Sequence, residues 1–189
     1  RGARIAGLLI RQARLRRDWS QDGLCLGICT PSYLSKIEQG KAEPSPEVTE
    51  LLLRRLGLVW IPEPEDLKPC WNALLSGSPG FFLCYEQLVL PQQERLACSP
   101  LAADILLLAA FYTDTMQPLS EEWEPFLSTR QLALQRALQG RWDEAVTVYS
   151  QRATDQANQY GFDQELLQNI ACSRTYSHAN ANFPRPLGH

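Results

Sequence analysis

Residues 19–41 read WSQDGLCLGICTPSYLSKIEQGK and carry the clearest structural signal in the chain. Ser20 is a good N-cap for a helix over 21–28, because its hydroxyl can accept a hydrogen bond from an unpaired backbone N–H. Thr30 and Pro31 start a second helix over 31–38, since proline at the first helical position lacks only an N–H that has no partner there. Gly40 ends that helix in the left-handed conformation that glycine tolerates. The pattern predicts two short helices joined by a tight turn.

Two further helices are predicted on either side of this pair, because apolar residues recur every three or four positions. They span 3–17 and 46–56, and Pro62 and Pro64 mark the end of the amino-terminal domain. The predicted buried stripes are Ile5, Leu8, Leu9, Ala13 and Leu15 in the first helix, and Val48, Leu51, Leu52 and Leu56 in the second.

The rest of the chain is also predicted to be helical, because no stretch alternates polar and apolar residues with a period of two. The predicted helices span 63–76, 81–89, 91–97, 99–116, 119–139, 141–160 and 163–179. We therefore expect an all-α protein with an amino-terminal domain over 1–60, a helical domain over 61–182 and an irregular tail over 183–189.

Charge is divided unevenly along the 189 residues. Residues 1–60 contain ten Lys and Arg against six Asp and Glu, a net charge of +4, whereas residues 61–189 contain eight against fifteen, a net charge of −7. A basic front half favours contact with a polyanion such as DNA.

Several functions are excluded by what the sequence lacks. The six cysteines form no C-x-x-C pair, so we predict buried thiols in a reducing compartment and no metal site. Neither a phosphate-binding glycine loop nor a nucleophile elbow is present, so we expect no enzyme activity and no cofactor. The most apolar stretch, over 101–112, is too short to cross a bilayer. We expect a cytoplasmic protein with no membrane partner, and we expect the natural start to lie upstream, because residue 1 is Arg.

The second helix of the pair has the polar character of a segment that enters the major groove of DNA. Ser and Thr hydroxyls can contact bases and phosphates, Lys can contact phosphates, and Tyr can pack on a thymine methyl. Arg14 and Glu38 are predicted to pair as a structural clamp between the first and third helices. The predicted DNA contacts are Gln21, Thr30, Ser32, Tyr33, Lys36, Gln39 and Lys41.

The run from Trp19 to Lys41, with Pro44 and Ser45, resembles a Cro/C1-type (Xre) helix-turn-helix domain over about residues 3–58. The stretch Gly27 to Ser35, with a turn one residue shorter than is usual in the family, is similar to one branch of it: bacterial quorum-sensing regulators that bind signalling peptides through tetratricopeptide-type repeats. The resemblance implies a homodimer on palindromic double-stranded DNA. Cys25 and Cys29 depart from the small residues, alanine and glycine, that are commoner there.

A repeat signal in the rear domain agrees with that branch. Gly140, Trp142, Ala145 and Tyr149 resemble the turn and second helix of a tetratricopeptide repeat. Candidate peptide contacts on the first helices of such repeats are Arg130, Gln131, Asn169 and Arg174. An irregular helical bundle, and a protein-binding adaptor with an accessory helix-turn-helix domain, remain the alternatives.

Overall fold

The computed structural model describes residues 4–75, 79–115, 119–141, 143–145 and 147–148. Every regular element within these residues is helical, which confirms the all-α fold class. The predicted helix over 163–179, most of the one over 141–160 and the tail lie outside the described residues. In the described part of the chain, no helix combines the length and the apolar character needed to span a membrane.

Four helices form the amino-terminal part, and shorter helical pieces follow. The four are α1 (Arg4–Arg16), α2 (Gln21–Cys25), α3 (Pro31–Glu38) and α4 (Pro46–Arg55). After them come α5 (Lys68–Leu75), α6 (Gly80–Cys84), a π turn (Tyr85–Val89), a 3₁₀ turn (Leu90–Gln92), α7 (Gln93–Leu96), α8 (Ala102–Thr113), a 3₁₀ segment (Glu121–Phe126) and α9 (Thr129–Leu138).

The chain divides into two compact units that do not follow its order. The first unit contains the chain up to Glu65 together with Gln93–Ile105 and Ser120–Leu127. The second contains Asp66–Gln92, Leu106–Leu119 and the described residues from Ser128 onward. Two segments distant in sequence therefore belong to the same unit as α1 to α4.

The predicted helix starts around the tight turn are confirmed. The Ser20 hydroxyl accepts a hydrogen bond of 3.0 Å from the N–H of Gly23, and the Thr30 hydroxyl accepts one of 3.2 Å from the N–H of Tyr33. The predicted end of α2 at residue 28 is wrong, because the helix stops at Cys25 and Gly27 takes a positive φ of 77°. Only glycine adopts this conformation without strain, and it directs the chain toward α3.

The helices α1 to α4 enclose one apolar core, but two predicted buried positions are wrong. Leu15 is 54% exposed and Leu51 is 36% exposed, whereas Leu53 and Thr49 are buried. Leu51, Leu52 and Leu53 are consecutive, so periodicity alone cannot tell which side of α4 faces inward. The core cluster consists of Ala6, Ile10, Ala13, Leu24, Cys25, Leu34, Ile37, Leu52, Leu53 and Leu56.

The single helix predicted over 119–139 is also wrong. Residues Glu121–Phe126 form a 3₁₀ segment that contains Pro125, which has no N–H to continue an α-helix. Ser128 then starts α9 with a capping box: its hydroxyl accepts a bond of 3.2 Å from the N–H of Gln131, and the Gln131 side chain accepts one of 2.9 Å from the N–H of Ser128. Two mutually satisfied donors make this a strong helix start.

The second unit is held by aromatic and small side chains. Phe81 and Phe111 meet edge to face with ring centroids 5.0 Å apart, and Tyr85 stacks on Tyr112 at 4.3 Å. On α9, Ala133 and Ala137 pack with Ala145 in a small buried cluster. Gly140 joins the two segments with a positive φ of 76°, as a reversing turn requires.

Candidate nucleic-acid interface

Helix α3 packs closely against α1 because residue 7 has no side chain. A Cβ atom placed on Gly7 would lie 2.1 Å from the carbonyl oxygen of Ile37, well inside van der Waals contact. Leu34 and Ile37 are fully buried and hold the inner side of α3 to the core. This contact determines how far the outer side of α3 stands from the rest of the domain.

Arg14 and Glu38 form a bidentate ion pair between α1 and α3. Arg14 Nε donates to Glu38 Oε1 at 2.7 Å, and Arg14 Nη2 donates to Glu38 Oε2 at 2.9 Å. The hydrogen bond to Glu38 is the largest influence on Arg14 and raises the pKa of its guanidinium, although burial acts in the opposite direction. With the side chain of Arg14 only 11% exposed and that of Glu38 3% exposed, the pair is shielded from water and salt.

Two more groups complete this network. Arg14 Nη1 donates to the carbonyl oxygen of Trp19 at 2.8 Å, and Gln21 Nε2 donates to Glu38 Oε2 at 2.8 Å. The network therefore joins α1, the first residue of α2 and the end of α3. Sequence reasoning assigned Gln21 to DNA and missed its bond to Glu38, because nothing local in the sequence brings residue 21 to residue 38.

The outer side of α3 presents polar side chains to solvent. Ser35 is half-buried, and its hydroxyl accepts a hydrogen bond of 3.1 Å from the amide of Gln39. Tyr33 is half-buried and packs against the core cluster, and its hydroxyl lies 3.5 Å from the carbonyl oxygen of Glu43, to which it donates. The predicted contact residues that are exposed are Thr30, Ser32, Lys36, Gln39 and Lys41.

A polar depression of about 180 Å³ lies beside this surface. Drug-sized ligands occupy roughly 300–1,000 Å³, so the depression suits an ion, a few waters or one polar group of a macromolecule. Arg11 and Ser35 also line the depression, and they were not predicted from the sequence as site residues. Arg11 could have been predicted, because it lies three residues before Arg14 and therefore on the same face of the helix. Its lining residues are Arg11, Arg14, Gln21, Ser35, Glu38 and Gln39.

The candidate peptide contacts are only partly described. Gln131 lies in the first turn of α9, where its side-chain oxygen accepts the N–H of Ser128 as part of the capping box. Arg130 lies in the same turn, but its side chain is outside the described residues, as are Asn169 and Arg174. The repeat residues Trp142 and Tyr149 are outside them as well.

The described cysteines are free thiols. Burial raises the pKa of Cys70 and of Cys98 to about 11, and burial together with the neighbouring Cys25 raises the pKa of Cys29. These thiols are therefore protonated at neutral pH and are poor nucleophiles. Among the described residues, no group of three or more His, Cys, Asp and Glu side chains is placed to hold a metal ion.

Comparison with known proteins gives one result for this region. A family model described as helix-turn-helix matches residues 10–59, which include most of α1 and all of α2, α3 and α4. No curated protein and no solved structure matches the chain. The match supports a helix-turn-helix domain of the Cro/C1 type over residues 10–59, and α2, α3 and the turn between them lie within it.

Proposed function

We propose that this protein is a sequence-specific DNA-binding transcriptional regulator whose helix α3 enters the major groove. The observation that carries the proposal is the polarity of α3: Leu34 and Ile37 are buried, while Ser32 and Lys36 are exposed on its other side. The major groove is roughly 12 Å wide and admits one such helix. The ion-pair network of Arg14 holds the helix rigid, so that binding need not order it first.

Each exposed residue suits a particular part of DNA. Thr30 and Ser32, at the start of α3, can bond to base edges or phosphates, and Lys36 and Lys41 can contact phosphates. Gln39 can donate or accept at a base edge once it leaves the hydroxyl of Ser35. Tyr33 packs on the core, so the contact that it can make with DNA is an apolar one, such as with a thymine methyl. We propose that Gln21 acts through Glu38, by holding the start of α2 in place.

To test this function, the full chain is incubated with a pool of random DNA duplexes, and the duplexes that it retains are sequenced. The double variant Ser32→Ala and Lys36→Ala removes one hydroxyl and one charge from the outer side of α3 without touching the core. Arg54→Ala, on the exposed side of α4, is the control for the loss of one positive charge. We expect the unmodified chain and the control to enrich one inverted repeat, and the double variant to enrich none.

Two results would contradict the proposal. Equal enrichment by the double variant would show that α3 does not read the sequence. A folded, unmodified chain that enriches nothing would favour the protein-binding adaptor. The inverted repeat is expected because we propose a homodimer, and the distance between half-sites would report the geometry of that dimer.

We also propose that a short signalling peptide binding to the helical region regulates the protein. The support is local: α9, the turn at Gly140 and the buried Ala145 have the order of a tetratricopeptide repeat, in which a small residue allows two helices to approach closely. A peptide that binds only the folded state must raise the melting temperature. A peptide library that yields no such shift would remove this part of the proposal.

A further inference from the structure

The 3₁₀ segment Glu121–Phe126, named here the acidic strap, packs against α1 within the first compact unit. Gln12 Nε2 donates to Glu122 Oε1 at 2.9 Å, although the two residues are 110 positions apart. Trp123 and Phe126 are buried in this position. The acidic strap therefore makes a polar contact with α1 and buries two aromatic side chains.

Phe126 reaches the end of α3. A Cβ atom placed on Gly40 would lie 3.2 Å from Phe126 Cε1, so the ring sits directly against the glycine. Arg4 Nε donates to the carbonyl oxygen of the same Gly40 at 2.8 Å. The acidic strap thus lies at the junction of α1 with the residue that ends α3.

One face of α1 carries the residues that mark where the acidic strap docks. Arg4, Leu8 and Gln12 are four residues apart and share one side of the helix. Leu8 is fully buried, yet it is not part of the core cluster enclosed by α1 to α4. Gln12 contacts Glu122 of the strap, and Arg4 contacts the glycine on which Phe126 lies, so the strap meets α1 at both ends of this face.

Charge complementarity favours this docking and weakens the unit's attraction for DNA. The acidic strap carries Glu121, Glu122 and Glu124, whereas α1 carries four arginines and no acidic residue. Residues 1–60 have a net charge of +4, but the complete first unit, with eleven Lys and Arg and thirteen Asp and Glu, has a net charge of −2. Long-range attraction of phosphates depends on this field.

We propose that the acidic strap is a built-in attenuator that, docked on α1, lowers the affinity of the helix-turn-helix domain for DNA. The inference rests on the proposed DNA-binding function. The carboxylates of Glu121 and Glu122 are exposed beside a basic helix, where they repel an approaching phosphate backbone. This repulsion extends over the Debye length, about 10 Å at 0.1 M salt, and fades as salt rises.

The test of attenuation compares two charge-matched variants of the full chain. Glu121→Gln with Glu122→Gln removes two of the strap's three negative charges and leaves an amide oxygen to accept the bond from Gln12. Glu63→Gln with Glu94→Gln neutralises two exposed carboxylates elsewhere in the same unit. The probe is a random-sequence duplex of about 30 base pairs, because backbone attraction is independent of sequence.

We expect the strap variant to bind this duplex about two to five times more tightly than the unmodified chain at about 50 mM salt, with the gain disappearing near about 300 mM. The control variant should gain clearly less. Equal gains in affinity for the duplex in the two variants would show that net charge alone sets the affinity. That result would overturn the proposed attenuation. An unmodified chain that binds no duplex at low salt would instead overturn the proposed function, and the strap's role with it.

Docking is measured separately, without DNA, by amide hydrogen exchange over α1. Phe126→Ala removes the ring that lies on Gly40 and should speed exchange in Arg4–Arg16 about tenfold. Gln12→Ala is the milder second variant and should give a smaller increase if Phe126→Ala fails to fold. Unchanged exchange in both variants would show that the strap does not cover α1 in solution and would overturn the inference.

Discussion

At the scale of single residues, a shielded ion pair joins α1 to α3. The Arg14 guanidinium satisfies both oxygens of Glu38 and the carbonyl oxygen of Trp19, while Gln21 supplies a further donor. Sequence reasoning paired Arg14 with Glu38 because the two residue types suit a bidentate contact. It could not place Gln21 there, because that contact depends on the angle between α2 and α3.

We expect Arg14→Ala to lower the free energy of unfolding by about 2–4 kcal/mol, because it leaves Glu38 as a buried charge without its cation. Arg16→Ala, which removes an exposed arginine from the same helix, should cost under about 0.5 kcal/mol. Urea unfolding of both variants is the measurement. Adding Glu38→Gln to Arg14→Ala should recover part of the loss, since it removes the unpaired charge. An unchanged melting temperature and unchanged DNA binding in Arg14→Ala would refute the clamp.

At the scale of helices, local signals placed the starts of α2, α3 and α4 well and the buried sides of the helices less well. Ser20, Thr30, Ser45 and Ser128 all cap helices through bonds to residues three positions ahead, which a short window of sequence contains. The buried side of α4 depends on neighbours far away in the chain. The break before α9 was missed, although Pro125 and Ser128 were visible signals for it.

The packing of α1 on α3 predicts a large effect for Gly7→Ala. The added methyl group would overlap the carbonyl oxygen of Ile37, so the two helices must separate, at a cost of about 2–4 kcal/mol of unfolding free energy. Gly23→Ala is the matched control, because its new methyl group would meet only the Ser20 hydroxyl at 3.2 Å. That small strain offsets the gain in helix propensity of about 0.5–1 kcal/mol, so we expect little net change in the free energy of unfolding. Thermal unfolding distinguishes the two, and similar small changes would contradict the close approach.

At the scale of the whole molecule, the helix-turn-helix unit is assembled from separate parts of the sequence. The N–H of Ile61 donates to the carbonyl oxygen of Cys98 at 3.0 Å, and the Cys98 side chain packs against the core of α1 to α4. Arg95 reaches Glu65 at 3.1 Å. Truncation after residue 60 would therefore remove part of the compact unit to which α1 to α4 belong.

The salt dependence of DNA binding tests the proposed contacts at this scale. The logarithm of the association constant should fall linearly with the logarithm of salt, by about 0.9 for each phosphate neutralised. Lys36→Ala should reduce that slope by about 0.9 if Lys36 contacts a phosphate. Arg54→Ala should leave the slope as it is. A slope that Lys36→Ala does not change would remove this residue from the interface.

The helical class, the starts of α2 and α3 and the end of α3 at Gly40 were readable from the sequence, because caps, proline and glycine act within about four residues. Three features required the folded chain: the inward side of α4, the bond from Gln21 to Glu38, and the docking of Glu121–Phe126 on α1. Each of these depends on residues that are distant in sequence. Their free energy comes from burial and hydrogen bonds formed only after folding, so no short window of sequence contains it.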